Sequence, residues 1–122
     1  MKLMVAFASP KRSRKIVRIA AAHAKAMDAE LVLVRVIADP AKLGVIAELI
    51  STDAPKETAQ NQIDMVVAEL QDKGVNASGM LKIGPVAETL VSTASELGVD
   101  TVYVGSGPIK QRAFGILSLI HI

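Results

Sequence analysis

The sequence contains no cysteine and no tryptophan, and its aromatic residues are two phenylalanines and one tyrosine. Without cysteine the chain can form neither a disulfide framework nor a thiolate metal site, and it has no cysteine nucleophile. So few aromatic rings leave little surface on which unpaired bases could stack, and the net charge of +2 attracts phosphates only weakly. We therefore predict that the protein does not bind nucleic acid.

Long hydrophobic runs are also missing. The longest apolar stretches are residues 31–38, interrupted by Arg35, and residues 113–122, and both are shorter than the roughly 20 residues that a membrane helix needs. The opening MKLMVAFASPKRS lacks the small-residue cleavage site of a secretory signal. We predict no membrane partner and a cytoplasmic location. A length of 122 residues with 51% hydrophobic residues predicts one domain over residues 1–122.

The apolar residues fall into alternating strand-like and helix-like segments. Strands are predicted at residues 2–8, 31–37, 76–83 and 101–104, and helices from Ser9-Pro10 to about Asp28, near 45–50, from Lys56 to Gly74, and from Gly84-Pro85 to Gly98. This alternation predicts parallel βαβ crossovers, and therefore an α/β fold with a doubly wound open parallel sheet and helices on both faces. The final AFGILSLIHI could be a strand or part of a helix, because its short apolar run has no deciding period.

The two histidines are predicted to be packing residues. His23 falls on the predicted buried stripe of the first helix, with Ile16, Ile19, Ala20 and Met27, and His121 lies in the apolar tail. Neither has a second histidine or an acid at metal-ligand spacing. The chain also lacks a G-x-S-x-G elbow and paired acids on a helix. We therefore predict no metal site and no catalytic residues.

Two features could bind an anion at the carboxyl ends of the strands, where open parallel sheets bind ligands. The first is the GSGP cluster after the strand at 101–104, followed by Lys110 and Arg112, since small residues let backbone amides approach a phosphate. An ordinary turn would have the same composition. The second is the cluster Lys11, Arg12, Arg14 and Lys15, which is either a solvated basic face or a surface for an anion or acidic partner.

The segments GPVAE, at 84–88, and GVDTVYVGS, at 98–106, resemble the universal stress protein family. The opening VAFASPKRSRKIVRIAAAHAKAMDAELVLVRVI is similar to that family's first strand, serine-proline turn, helix and second strand. The family's sheet has five parallel strands in the order 3-2-1-4-5, and its members commonly form dimers through the fifth strand. The resemblance implies that order here for the first four strands. The chain stops where the family continues with a further helix and strand, so FGILSLIHI either replaces that strand or leaves the edge open. Because an open apolar edge promotes aggregation, we expect a homodimer.

The resemblance also implies candidate ligand-binding residues, because some members bind ATP. They use an acid after strand one, backbone beside strand two, and a G-x2-G-x9-G-[ST] phosphate loop. The positions that correspond to this site or lie at its edge are Ser9, Val36, Ile37, Gly105, Ser106, Gly107, Lys110, Gly115 and Ser118.

The sequence departs from that pattern at several of these positions. Phe7 stands where the acid would be, Pro108 replaces the second loop glycine, Gly115 comes three residues early, and Ser118 takes the place of the third glycine. Since proline lacks an amide donor, we predict weak or absent binding of ATP. The resemblance implies a stress-response function, which we predict to be non-enzymatic. The alternatives are a member that binds or slowly hydrolyses ATP, and an interaction module whose basic helix start docks on an acidic partner.

Overall fold

The computed structural model describes residues 1–37, 53–105 and 118–121. Within these ranges the elements are, in chain order, β1 (Lys2–Ala6), α1 (Arg14–Met27), β2 (Glu30–Ile37), α2 (Asp53–Asp72), β3 (Ala77–Ile83), α3 (Val86–Leu97), β4 (Thr101–Val104) and β5 (Ser118–His121). The alternation predicted from the sequence is confirmed. The helical segment predicted near residues 45–50 lies outside the described residues.

The strands form one parallel sheet in the order β3-β2-β1-β4-β5. From β1 the chain winds outward through β2 to β3, and then returns to the other side of β1 to form β4. The direction of winding therefore reverses between β1 and β4, which is where a parallel sheet opens a crevice at its carboxyl edge. Residues 118–121 form a fifth strand beside β4, and this decides between the two interpretations of that part of the tail.

The sheet is covered on both faces, as its nearly continuous apolar strands predict. One face packs against α1 and α2, and its buried strand residues include Leu3, Val5, Leu31, Leu33 and Tyr103. The other face packs against α3 and includes Met4, Val32, Val34, Val102 and Val104. Among the described residues, no helix has both the length and the apolar character needed to cross a membrane.

The first helix begins later than predicted and is rotated relative to the predicted stripe. Residues 10–13 form a turn, and α1 starts at Arg14. Its buried face consists of Ile16, Val17, Ala20, Ala21 and Ala24, whereas Met27 is 44% exposed and His23 is also exposed. The prediction for Met27 was wrong because the buried face follows Val17, Ala21 and Ala24, which lie to one side of the predicted stripe.

The second helix begins earlier than predicted. The predicted start was Lys56, but α2 starts at Asp53 and includes Pro55 in its first turn. Proline is tolerated there because the first-turn amides have no partner within the helix.

Candidate ligand-binding cleft

A cleft of about 470 Å³ lies at the carboxyl ends of β1, β2 and β4. Its walls come from the ends of these strands, the turn before α1 and the first turns of α3. The lining residues are Ala6, Phe7, Ala8, Arg12, Ser13, Ile16, Val34, Arg35, Val36, Ile37, Val86, Ala87, Leu90, Val104 and Gly105. The cleft therefore lies where the topology predicts a ligand site.

The end of β1 is held in place by backbone and serine hydrogen bonds. The Phe7 amide donates to the Val34 carbonyl oxygen at 2.8 Å, and the side chain of Phe7 is only 4% exposed. The next amide, of Ala8, donates to Ser13 Oγ at 2.8 Å. The backbone is therefore held by hydrogen bonds at Phe7 and at Ala8, where the chain leaves the sheet.

Ser13 was missed by the sequence interpretation, which began the helix at Ser9-Pro10. Ser13 is 4% exposed and stands at the N-cap of α1, but its hydroxyl makes no capping bond there. The hydroxyl accepts the Ala8 amide instead. Ser9 Oγ accepts the Arg12 amide at 3.1 Å, and the Ser9 carbonyl oxygen accepts the Ser13 amide at 2.9 Å. A serine directly before the helical run was the available signal for Ser13.

Arg35 is the second site residue that the sequence did not suggest. It lies on β2, lines the cleft, and its Nη1 donates to Gln62 Oε1 of α2 at 2.6 Å. Burial lowers the pKa of the Arg35 guanidinium, but arginine remains charged at neutral pH because its pKa starts so high. The only signal in the sequence was a cation interrupting a buried strand.

The candidate residues named from the sequence are only partly brought together. Val36, Ile37 and Gly105 line the cleft, whereas the Ser9 hydroxyl is engaged in the adjacent turn. Ser106, Gly107, Lys110 and Gly115 lie outside the described residues, as do Pro108 and Arg112.

Ser118 lies far from the cleft. It is the first residue of β5 and its backbone pairs with Thr101, the first residue of β4, while Val104 pairs with His121 at the other end. Ser118 is therefore at the amino edge of the sheet, about 10 Å from the carboxyl edge at 3.3 Å per residue. This register separates Ser118 from the phosphate loop to which the family resemblance assigned it. The sequence did not predict the register.

The structure divides the basic cluster before and within α1. Arg12 lines the cleft, whereas Arg14 lines a separate groove between α1 and α2. Arg12 and Arg35 are the charged residues among those lining the cleft. Within the described residues, no group of three or more histidines or acids could hold a metal ion.

The chemistry of the described cleft suits an anion that carries an apolar group. Valine, isoleucine and leucine side chains provide an apolar enclosure, and its volume lies in the range of small-molecule sites. Guanidinium groups bind carboxylates and phosphates through planar pairs of N–H donors. A ligand that spans the cleft could therefore place an apolar ring between α3 and β2 and a negative charge near Arg12 or Arg35.

Comparisons with known proteins agree with the fold described above. A family model described as the universal stress protein family matches residues 1–117. A solved structure of a family member from Burkholderia pseudomallei is similar, with a TM-score of 0.82 and 23% identity, over 99% of this chain and 94% of that one. No curated protein matches the sequence.

Two further solved structures were obtained with nucleotides. The universal stress protein from Archaeoglobus fulgidus in complex with dAMP has a TM-score of 0.77 and 18% identity, over 100% of this chain and 97% of that one. A family member from Arabidopsis thaliana with AMP bound has a TM-score of 0.70 and 17% identity, over 100% of this chain and 90% of that one. At these identities the similarity establishes the fold.

Proposed function

The chain belongs to the universal stress protein family, and we propose that it acts as a non-enzymatic, homodimeric stress-response protein with weak or absent nucleotide binding. The observation that carries this proposal is Phe7. It lies at the end of β1, it lines the cleft, and it is 4% exposed. The resemblance places the nucleotide-contacting acid of ATP-binding members at this position. A phenyl ring offers no acceptor to a ribose hydroxyl or a base, so one polar contact is lost.

The proposal that the protein is not an enzyme is supported by the side chains at the cleft. The described lining residues provide two guanidinium groups and one serine hydroxyl, and that hydroxyl already accepts the Ala8 amide. Arginine cannot act as a general base, because it stays protonated. His23 does not line the cleft, and its side chain forms a hydrogen bond with Tyr103. Nothing among these residues pairs a nucleophile with a base.

The proposal of a homodimer is supported by the position of β5. It is the last strand of the sheet beside β4, and an edge strand presents backbone groups to a further strand. A second copy of β5 across a twofold axis would pair those groups and give a closed assembly. The cytoplasmic location stays a prediction.

One alternative is favoured by a specific observation. Relatives of the same fold have been solved with dAMP and AMP, and the cleft in this chain holds Arg12 and Arg35 with no acid among its described lining residues. These cations could attract a nucleotide phosphate even without the acid at the end of β1. The alternative is therefore a nucleotide-binding member, with or without slow ATP hydrolysis.

Isothermal titration of the purified protein with AMP and with ATP, in the presence and absence of magnesium, distinguishes weak or absent nucleotide binding from the nucleotide-binding alternative. We expect a dissociation constant weaker than about 1 mM, which corresponds to about −4 kcal/mol, and no release of phosphate from ATP. Micromolar binding that is lost in Arg35→Gln and retained in Lys15→Gln would establish the alternative. Lys15 is an exposed cation that does not line the cleft, so it controls for net charge.

A further inference from the structure

A second concave surface lies on the face of the sheet that carries α1 and α2. This groove has a volume of about 560 Å³ and runs between the two helices. Its residues on α1 are Arg14, Val17, Arg18, Ala21, Ala22 and Lys25, and its residues on α2 are Met65, Val66, Glu69 and Leu70. Their spacing of three and four residues places each set on one face of its helix.

The floor of the groove is apolar and part of it is exposed. Val17, Leu70 and Val75 are nearly buried, whereas Ala22 is exposed and Met65 is 59% exposed at the rim. An exposed methionine beside an alanine offers a soft apolar surface that adapts to a partner. The two neighbouring alanines, Ala21 and Ala22, would let the backbone of another helix approach closely.

The rim of the groove is strongly cationic. Arg14, Arg18 and Lys25 line it from α1, and Lys73 lines it from the turn after α2. Glu69 is the acid among the lining residues. The ion pairs formed among described residues join Lys2 to Glu30 and Lys82 to Glu96, and neither involves the groove. One cation is engaged, because Lys25 Nζ donates to the Lys73 carbonyl oxygen at 3.1 Å.

From these observations we infer that the groove between α1 and α2 docks an acidic amphipathic helix of a partner protein. The positions from Arg14 to Lys25 span about 16 Å, or about three helical turns at 1.5 Å per residue. A helix of that length can place apolar anchors at i, i+3, i+4 and i+7 on the alanines and Met65. Its flanking carboxylates would then meet Arg14 and Arg18 on one side and Lys73 on the other. This inference is independent of the cleft and of nucleotide binding.

The test uses a displayed library of helical peptides of about 18 residues, or five turns. Apolar residues are kept at positions i, i+3, i+4 and i+7, and all other positions are randomised. The selected peptides are then measured by fluorescence anisotropy against the purified protein and four variants. Arg18→Glu reverses a charge on the rim, and Lys15→Glu makes the same change on an exposed residue outside the groove. Ala22→Gln places a larger uncharged side chain on the floor of the groove. Ala26→Gln makes the same substitution at an exposed position outside the groove and is the control.

We expect the enriched peptides to be rich in aspartate and glutamate and to bind more weakly as salt is raised. Arg18→Glu and Ala22→Gln should each weaken binding by about tenfold, which corresponds to 1.4 kcal/mol. Lys15→Glu and Ala26→Gln should change it by less than about twofold. Circular dichroism of each variant confirms that the fold is kept.

Several outcomes would overturn the inference. These are a library that yields no binder, binders without acidic residues, or equal effects of the groove variants and their matches. The inference is also overturned if Ala22→Gln abolishes self-association, which would make the occupant a second copy of this chain. It fails equally if the groove variants abolish binding to anionic lipid vesicles while no peptide binds.

Discussion

His23 Nδ1 of α1 lies 2.7 Å from the hydroxyl oxygen of Tyr103 in β4. Their ring centroids are 5.5 Å apart and the planes are inclined by 56°. Tyr103 is 1% exposed, so its hydroxyl would lack a partner in the core without this bond. The pair joins α1 to β4, the strand that lies between β1 and the edge strand β5.

Removing the phenolic hydroxyl should therefore destabilise the protein. For Tyr103→Phe we expect a loss of about 1 kcal/mol in the free energy of unfolding, the usual net contribution of one hydrogen bond. The measurement is urea unfolding followed by circular dichroism. In a double-mutant cycle with His23→Ala, the two changes should cost less together than the sum of the single changes. Strict additivity would show that the bond contributes nothing to stability.

The stability of the protein should fall at alkaline pH partly through Tyr103. Burial raises the pKa of Tyr103 above its ordinary value of 10, because the phenolate is poorly solvated in the core. A raised pKa in the folded state gives a contribution that is complete below pH 10 and lost as pH rises above it. The melting temperature should consequently drop more between pH 9 and pH 11 in the wild type than in Tyr103→Phe. Parallel curves would contradict this.

Gly79 is required where α2 crosses β3. A Cβ built at this position would clash with Cγ2 of Ile63 and lie 3.2 Å from Cγ2 of Val67. Ile63 is completely buried and cannot move aside. Gly79→Ala should cost about 1–3 kcal/mol by overpacking, which outweighs the gain of up to about 1 kcal/mol from a less flexible unfolded chain. Ser78→Ala, at the exposed neighbouring position, serves as the control and should change stability little.

The two serines before α1 should differ in their contributions. Ser13 is 4% exposed, so Ser13→Ala leaves the Ala8 amide without its acceptor and should cost about 1–3 kcal/mol. Ser9→Ala removes a bond to the Arg12 amide in a more exposed turn, where water can replace it, and should cost less than about 1 kcal/mol. Thermal unfolding of both variants gives the order. A larger loss for Ser9→Ala would mean that the turn, and not the end of β1, is the critical contact.

Self-association should depend on β5. We expect analytical ultracentrifugation to give twice the chain mass of 12.8 kDa, and Leu119→Pro to shift the protein to monomer. Proline removes an amide donor from the strand, which weakens pairing with either β4 or a second copy of β5. Lys15→Ala, on α1, should leave the mass unchanged. A wild-type protein that stays monomeric at high concentration would reject the dimer.

The sequence by itself determined the elements and their parallel arrangement. Apolar strands such as LVLVRVI, the helix start at Gly84-Pro85 and the stop at Gly98 encode local preferences, which act within a few residues and can be interpreted without contacts. The order of the first four strands followed from family resemblance, and the structure confirmed it. Phe7 was also noted from the sequence, because its position beside the serine-proline turn is a local relationship.

Only the tertiary structure decided which side chains meet. Arg35 and Gln62 are 27 positions apart and His23 and Tyr103 are 80 positions apart, so no local pattern connects them. The register of β5 places Ser118 at the edge opposite the cleft. The basic cluster divides because Arg12 lines the cleft from the turn before α1, whereas Arg14 lines the groove from α1 itself. These outcomes depend on how helices pack on a common sheet. That packing is fixed by the volumes of side chains distant in sequence.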